Sequence, residues 1–128
     1  MIKEKTHIFI IDDDESICRS LKILLMTYGF EVNTFLSAED YFSTGQNVAP
    51  DCLILDIHLP GLNGWEALRR FIKSNSKCPV IMISVEVTPG NTKQALQAGA
   101  IGYLQKPFTD HALIDLINSA LNRKKKDK

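Results

Sequence analysis

The chain has 128 residues, 45% of them hydrophobic and 23% charged, with a formal net charge of zero. That length suits one domain with a single core, the composition is that of a soluble globular protein, and no run of eighteen apolar residues supplies a membrane span. The stretch Met1-Ile2-Lys3-Glu4-Lys5-Thr6 lacks the apolar centre of a signal peptide, and the three scattered cysteines Cys18, Cys52 and Cys78 suit reduced thiols in a cytoplasmic protein.

Taken in order, residues 7–11 (His7-Ile8-Phe9-Ile10-Ile11) form an unbroken apolar run, the mark of a strand buried on both faces. Ile17, Leu21, Leu24, Leu25 and Tyr28 recur at helical spacing, and Gly29 stops that helix. Residues 31–35 alternate, with Val32 and Phe35 marking a short edge strand. Ser37-Ala38-Glu39-Asp40 is a capping sequence for a short second helix carrying Tyr41 and Phe42. A loop from Gly45 to Pro50 leads to the central strand, residues 51–55, which delivers Asp56. Pro60, Gly61 and Gly64 shape a tightly turning loop. A third helix follows over about 65–73, burying Leu68, Phe71 and Ile72.

The fourth strand is 79–83, ending on Ser84, and Thr88-Pro89-Gly90 breaks the chain before a fourth helix at about 91–97. That helix has only Ala95, Leu96 and Ala98 to bury, which makes it a candidate partner-facing element. The fifth strand is 101–104. Thr109 or Asp110 caps the fifth helix, whose Leu113, Ile114, Leu116, Ile117 and Leu121 have helical spacing. Residues 123–128 hold five of the 15 basic residues and one of the 15 acidic ones, so a tail of about +4 follows a body of about −4. The tail is either a solvated helix end, where cations suit the macrodipole, or the start of a linker. The alternation throughout calls for a five-stranded parallel sheet with helices on both faces, a doubly wound (βα)5 unit.

Four of the apolar runs each stop at a polar group. The ends are Asp12-Asp13-Asp14, then Asp56, Ser84 and Lys106-Pro107, and a parallel sheet gathers them at one edge, where open α/β sheets bind ligands. Clustered carboxylates ionise together only around a cation. An oxygen-only donor set favours Mg2+, with Mn2+ as the alternative. A metal and a lysine together are more positive charge than one carboxylate needs, and they suit a phosphoryl group on it. Ser84 can donate a hydrogen bond to that group, and Asp56 is then the nucleophile that forms an acyl phosphate.

The segments Ile10-Ile11-Asp12-Asp13, Asp51 to Asp56 with Pro60-Gly61-Leu62-Asn63-Gly64, Val80-Ile81-Met82-Ile83-Ser84, and Gly99 to Phe108 together resemble the receiver domain of bacterial two-component response regulators. The resemblance covers about residues 7 to 122, leaving 123–128 as a basic tail. It implies a flavodoxin-like sheet of order 2-1-3-4-5. It implies that Asp56 accepts a phosphoryl group from a histidine kinase or phosphotransfer protein, as a signalling domain rather than an enzyme with turnover. Asp13, Asp56 and the His58 backbone carbonyl would hold Mg2+, with Asp12 acting through water. Ser84 and Lys106 would contact the phosphoryl group, Ser84 and Tyr103 would form a switch pair, and Lys106-Pro107 would be a cis peptide, which proline tolerates. The fourth helix, fifth strand and fifth helix would make the face that partners read, including a second copy of the chain. No direct nucleic-acid binding is expected of this domain.

Val85 departs from the small residue usual at its place, which predicts narrowed access for small-molecule donors. His58 and Glu86 occupy variable positions that flank the site and influence how long the phosphoryl group survives. His7 and His111 read as structural or exposed, and Trp65 as half-packed. Two rivals remain at this stage. A haloacid-dehalogenase-type phosphatase shares the strand-end Asp nucleophile and the Asp12-x-Asp14 spacing, but Glu15-Ser16 breaks its motif. A pseudo-receiver would keep the fold as a binding module without phosphorylation.

Overall fold

The computed structural model describes residues 5–44, 50–74, 77–86 and 88–126. Five strands alternate with five helices: β1 His7–Ile11, α1 Glu15–Thr27, β2 Glu31–Phe35, α2 Ala38–Thr44, β3 Cys52–Asp56, α3 Gly64–Ser74, β4 Val80–Ser84, α4 Pro89–Gln97, β5 Gly102–Gln105 and α5 Asp110–Lys126. All strand pairs are parallel, in the order β2-β1-β3-β4-β5. The expected topology is therefore the one observed.

Period-two alternation splits the apolar residues of the inner strands between two cores. Phe9 and Ile11 of β1, Leu53 and Leu55 of β3, and Val80 and Met82 of β4 face one core, which Tyr41, Leu68, Phe71 and Ala95 complete from α2, α3 and α4. Ile8 and Ile10, Cys52 and Ile54, and Ile81 and Ile83 face the other, against Cys18, Leu21 and Leu25 of α1 and Leu113, Ile114 and Ile117 of α5. Because β1, β3 and β4 are covered on both faces, their runs carry no polar alternation. In β2 Val32 joins one core and Phe35 packs against the other, since three residues of separation put them on opposite sides.

Helix boundaries follow local chemistry. Asp14 caps α1, its Oδ1 accepting from the amides of Ser16 at 2.9 Å and Ile17 at 3.3 Å. Ser37 Oγ accepts from the Asp40 amide at 3.0 Å and opens α2. Of the two caps expected for α5, Thr109 fills the role, accepting from the Ala112 amide at 3.1 Å.

Several expectations need correction. Thr88-Pro89-Gly90 does not break the chain before α4: Thr88 is its N-cap and Pro89 sits in its first turn, where a missing N–H costs nothing. Leu96 is 50% exposed and Tyr28 49% exposed, so neither is a core residue, while Cys18, omitted from the helical pattern, is buried. The central, fourth and fifth strands each begin and end one residue later than read, because the ladder includes the polar residue at the strand end. Helix α5 continues to Lys126, four residues into the expected tail. Most of the loop assigned to 45–50, and residues 127 and 128, lie outside the described residues.

Tyr41 anchors α2 at the centre of an aromatic cluster, with ring centroids 5.9, 5.3, 5.1 and 5.9 Å from Phe9, Phe35, Phe42 and Phe71. Replacing Tyr41 by Ala is expected to lower the unfolding free energy by about 3–5 kcal/mol, measured by urea denaturation. A loss under about 1 kcal/mol would show that the cluster collapses onto the space.

Candidate functional site

The strand order reverses beside β1, since β2 follows it on one side and β3 on the other. The carboxyl ends of β1 and β3 flank the resulting crevice. Asp12 leaves β1 held by its amide to the Phe35 carbonyl at 3.1 Å, and Asp56 ends β3. Carboxylate oxygens of Asp12, Asp13 and Asp56 lie within 4.8 Å of one another. Asp12 is fully buried and Asp56 is 4% exposed, while Asp13 opens to solvent.

Lys106 reaches this cluster from the far edge. Its amide bonds to the Ser84 carbonyl at 2.7 Å, which locks the end of β5 against β4. Its Nζ then donates to Asp12 Oδ2 at 2.7 Å and Asp56 Oδ2 at 3.4 Å. The Lys106–Pro107 peptide is cis. Burial works against the lysine's charge, but Asp12 and Asp56 outweigh it and hold the ammonium above its ordinary range. Asp56 is also pushed upward, first by burial and then by the neighbouring Asp12, with Lys106 opposing. Two carboxylates share one ammonium with a third beside them, a shortage of positive charge that a divalent cation would fill, and the donors are all oxygens, as a hard cation requires.

The other expected residues close the site from above. Ser84, fully buried, accepts at Oγ from the Glu86 amide at 3.1 Å. Tyr103, half-buried on β5, donates its hydroxyl to the Glu86 carbonyl at 2.8 Å. The His58 amide donates to Asp56 Oδ1 at 3.2 Å, and its exposed imidazole Nε2 lies 3.2 Å from Glu86 Oε1, so loops after β3 and β4 meet over Asp56. Val85 is 64% exposed and lines an apolar groove with Ile17, Leu21, Lys106, Pro107 and Phe108. Trp65 is half-buried and borders a cleft with Asp13, His58 and Asn63, as expected of it. His7 bonds Glu31 at 2.9 Å at the opposite end of the sheet, and His111 is exposed. Neither is part of the site.

Gly64 opens α3 tight beneath Asp56: a Cβ there would stand 2.4 Å from the Asp56 carbonyl oxygen and 2.5 Å from Ile57 Cα. Two roles escaped the sequence reading. Asp14 is committed to capping α1, which removes it from the acidic cluster and leaves the phosphatase pattern Asp12-x-Asp14 without its second carboxylate. An Asp two residues before Ser16, just ahead of the helical periodicity, is a signal that could have shown this. Cys18 donates its thiol to the Asp12 carbonyl at 3.3 Å, and burial followed by the Asp12 charge pushes that thiol up to about 11.

Comparisons with known proteins agree with this geometry. The model of the response regulator receiver domain family matches residues 8–118. Nodulation protein W of Bradyrhizobium diazoefficiens is 34% identical over 122 residues, 95% of this chain and 54% of that protein. The transcriptional regulatory protein FixJ of the same organism is 33% identical over 119 residues, 93% of this chain and 58% of that protein. The chain thus spans about half the length of these relatives. The crystal structure of a CheY-like response regulator receiver domain protein from Methanospirillum hungatei matches with a TM-score of 0.91 at 29% identity, covering 98% of this chain and all of that one.

Because Asp56 holds its proton more tightly folded than unfolded, its ionisation opposes folding above the folded pKa. That penalty vanishes as pH falls below the unfolded value. Asp56→Asn is therefore expected to raise the melting temperature at pH 7 in chelator, by an amount corresponding to roughly 1 kcal/mol. The difference should shrink in acid. Thermal melts at both pH values check this, and a lowered midpoint at pH 7 would mean that attraction to Lys106 outweighs repulsion from Asp12.

Proposed function

We propose that this chain, which belongs to the response regulator receiver domain family, carries its signal as a phosphoryl group on Asp56. The observation that supports this most directly is the buried Asp56 carboxylate at the sheet's reversal point, bridged to Asp12 by Lys106 and flanked by Asp13. Asp13, Asp56 and the backbone carbonyl of His58 would hold Mg2+ or Mn2+, with Asp12 acting through water. When bound, such a cation neutralises charge on the transferring phosphoryl group.

The chain's own residues orient and receive. A carboxylate oxygen of Asp56 forms the new O–P bond as the P–N bond of a donor phosphohistidine breaks. The electron pair stays on the departing imidazole nitrogen, which is then protonated from solvent. The donor is a histidine kinase or a phosphotransfer protein. Lys106 holds the acceptor in place and pairs with a phosphoryl oxygen afterwards. Ser84 Oγ turns from the Glu86 amide toward the phosphoryl group. That movement frees the chain at Glu86 to which Tyr103 is bonded, and the ring moves inward. Val85 limits small donors at the mouth, while His58 and Glu86 set how long the acyl phosphate lasts. The cycle is a signalling event on the chain itself, with no released product beyond phosphate.

The face made by α4, β5 and α5 carries the output to a partner or to a second copy of this chain. Leu96, half exposed there, and the weakly apolar α4 support that reading. Residues 1–122 form the receiver, and the basic residues after it continue α5 as far as Lys126. The proposal also places the chain in the cytoplasm. Among the described residues no helix is long and apolar enough to cross a membrane.

Intact mass after incubation with Mg2+ and a phosphorylated kinase or acetyl phosphate is expected to show one added phosphoryl group, absent in Asp56→Asn. An adduct retained in that variant would place the acceptor elsewhere. No adduct with either donor would favour a pseudo-receiver.

A further inference from the structure

The loop between β3 and α3 is closed at its base and fastened at its tip by different groups. At the base, the amides of Leu59 and Gly64 both donate to the Ile57 carbonyl, at 3.2 and 2.9 Å. Asn63 Oδ1 accepts from the Glu66 amide at 3.0 Å and so belongs to α3. The tip, Pro60-Gly61-Leu62, includes a proline with no amide hydrogen and a glycine at φ +70°, residues that a turn requires but that anchor nothing. Among the described residues, the hydrogen bond that ties this tip to another element runs from the Leu62 amide to Glu39 Oε2, at 2.9 Å.

Glu39 is well placed to be an anchor. It stands in the first turn of α2, and that helix is fixed by the Ser37 cap and by Tyr41 in the aromatic core. The Leu62 amide and its own amide hold its carboxyl below the usual range, so it stays a charged acceptor at neutral pH. The fit is tight on both sides: a Cβ on Gly61 would stand 2.3 Å from Glu39 Oε2. Glycine at 61 therefore serves two needs, a left-handed backbone and room for the carboxylate.

We propose that Glu39 is a positioning residue for the phosphoacceptor site: from α2 it clamps the tip of the loop through the Leu62 amide, and so sets the site's affinity for its divalent cation. The proposal rests on the cation site described above, to which this loop contributes the His58 carbonyl. Partners that orient a metal's ligands from outside change affinity without touching the ion, and the charge carried by Glu39 suits a tether to a solvent-exposed amide.

Mg2+ titration followed by Trp65 fluorescence tests this, since Trp65 borders the same cleft as Asp13 and His58. Glu39→Ala is expected to weaken Mg2+ binding by about three- to tenfold, the range of one lost hydrogen bond. Glu39→Gln keeps an acceptor oxygen and should stay within about twofold of the wild type. Asp40→Ala, which removes the neighbouring carboxylate of the same helix turn, should not change the affinity. Gly61→Ala should weaken binding as well, and adding Glu39→Ala to it should cause no further loss, because the collision has already displaced the carboxylate. In metal-free protein, hydrogen exchange at the Leu62 amide should accelerate in Glu39→Ala. A Glu39→Ala variant that binds Mg2+ like the wild type, even with a lowered melting temperature, overturns the proposal and leaves the cation site standing. A wild type whose Mg2+ response is absent overturns both.

Discussion

The structure turns on one buried ammonium. Lys106 Nζ sits 2.7 Å from Asp12 and 3.4 Å from Asp56, and it offsets part of the cost of burying two acidic side chains there. The three residues come from the ends of β1, β3 and β5, 94 and 50 positions apart in the chain. Their meeting depends on the parallel register, on the reversal of strand order beside β1, and on the backbone bond that holds Lys106 to Ser84. One lysine cannot neutralise three carboxylates, so the site keeps an excess of acidic groups. Stability is given up where the chemistry requires it.

The path from that site to the surface is short and made of identifiable bonds. Glu86 receives the Tyr103 hydroxyl on its carbonyl, donates its amide to Ser84, and meets His58 and Asn91 with its carboxylate. One residue therefore joins the hydroxyl inside the site, the aromatic ring on β5, the loop over Asp56 and the first turn of α4. A change of partner at Ser84 alters the support of all four.

Much of this could be read from the residues. Apolar runs ending on Asp12, Asp56, Ser84 and Lys106 predict the strands, their direction and the composition of the site, because β-strands buried on both faces leave few alternatives. What could not be read falls into two kinds. One is competition between roles for the same residue: Asp14 fits a phosphatase's second carboxylate by spacing until the helix behind it claims its side chain, and Pro89 looks like a break until it proves to be a helix start. The other is contact between residues distant in sequence and exposed, such as Glu39 and Leu62, 23 positions apart. Hydrophobic periodicity carries no information about a hydrogen bond on the surface, and an exposed Glu in a helix is the commonest of residues.

The division of the apolar residues between the two faces of the sheet has a consequence beyond packing. Phe71 and Tyr41 lie on one side and Leu25 and Ile117 on the other, with a hydrogen-bonded backbone layer between them. Among the described residues the two faces form separate clusters, so volume changes on one side are not felt directly on the other. Helices α1 and α5 can then drift in sequence while α2, α3 and α4 keep theirs. The polar strand ends belong to the layer that both sides hold in common. A fold arranged this way can acquire new surfaces one face at a time without disturbing the chemistry along its edge.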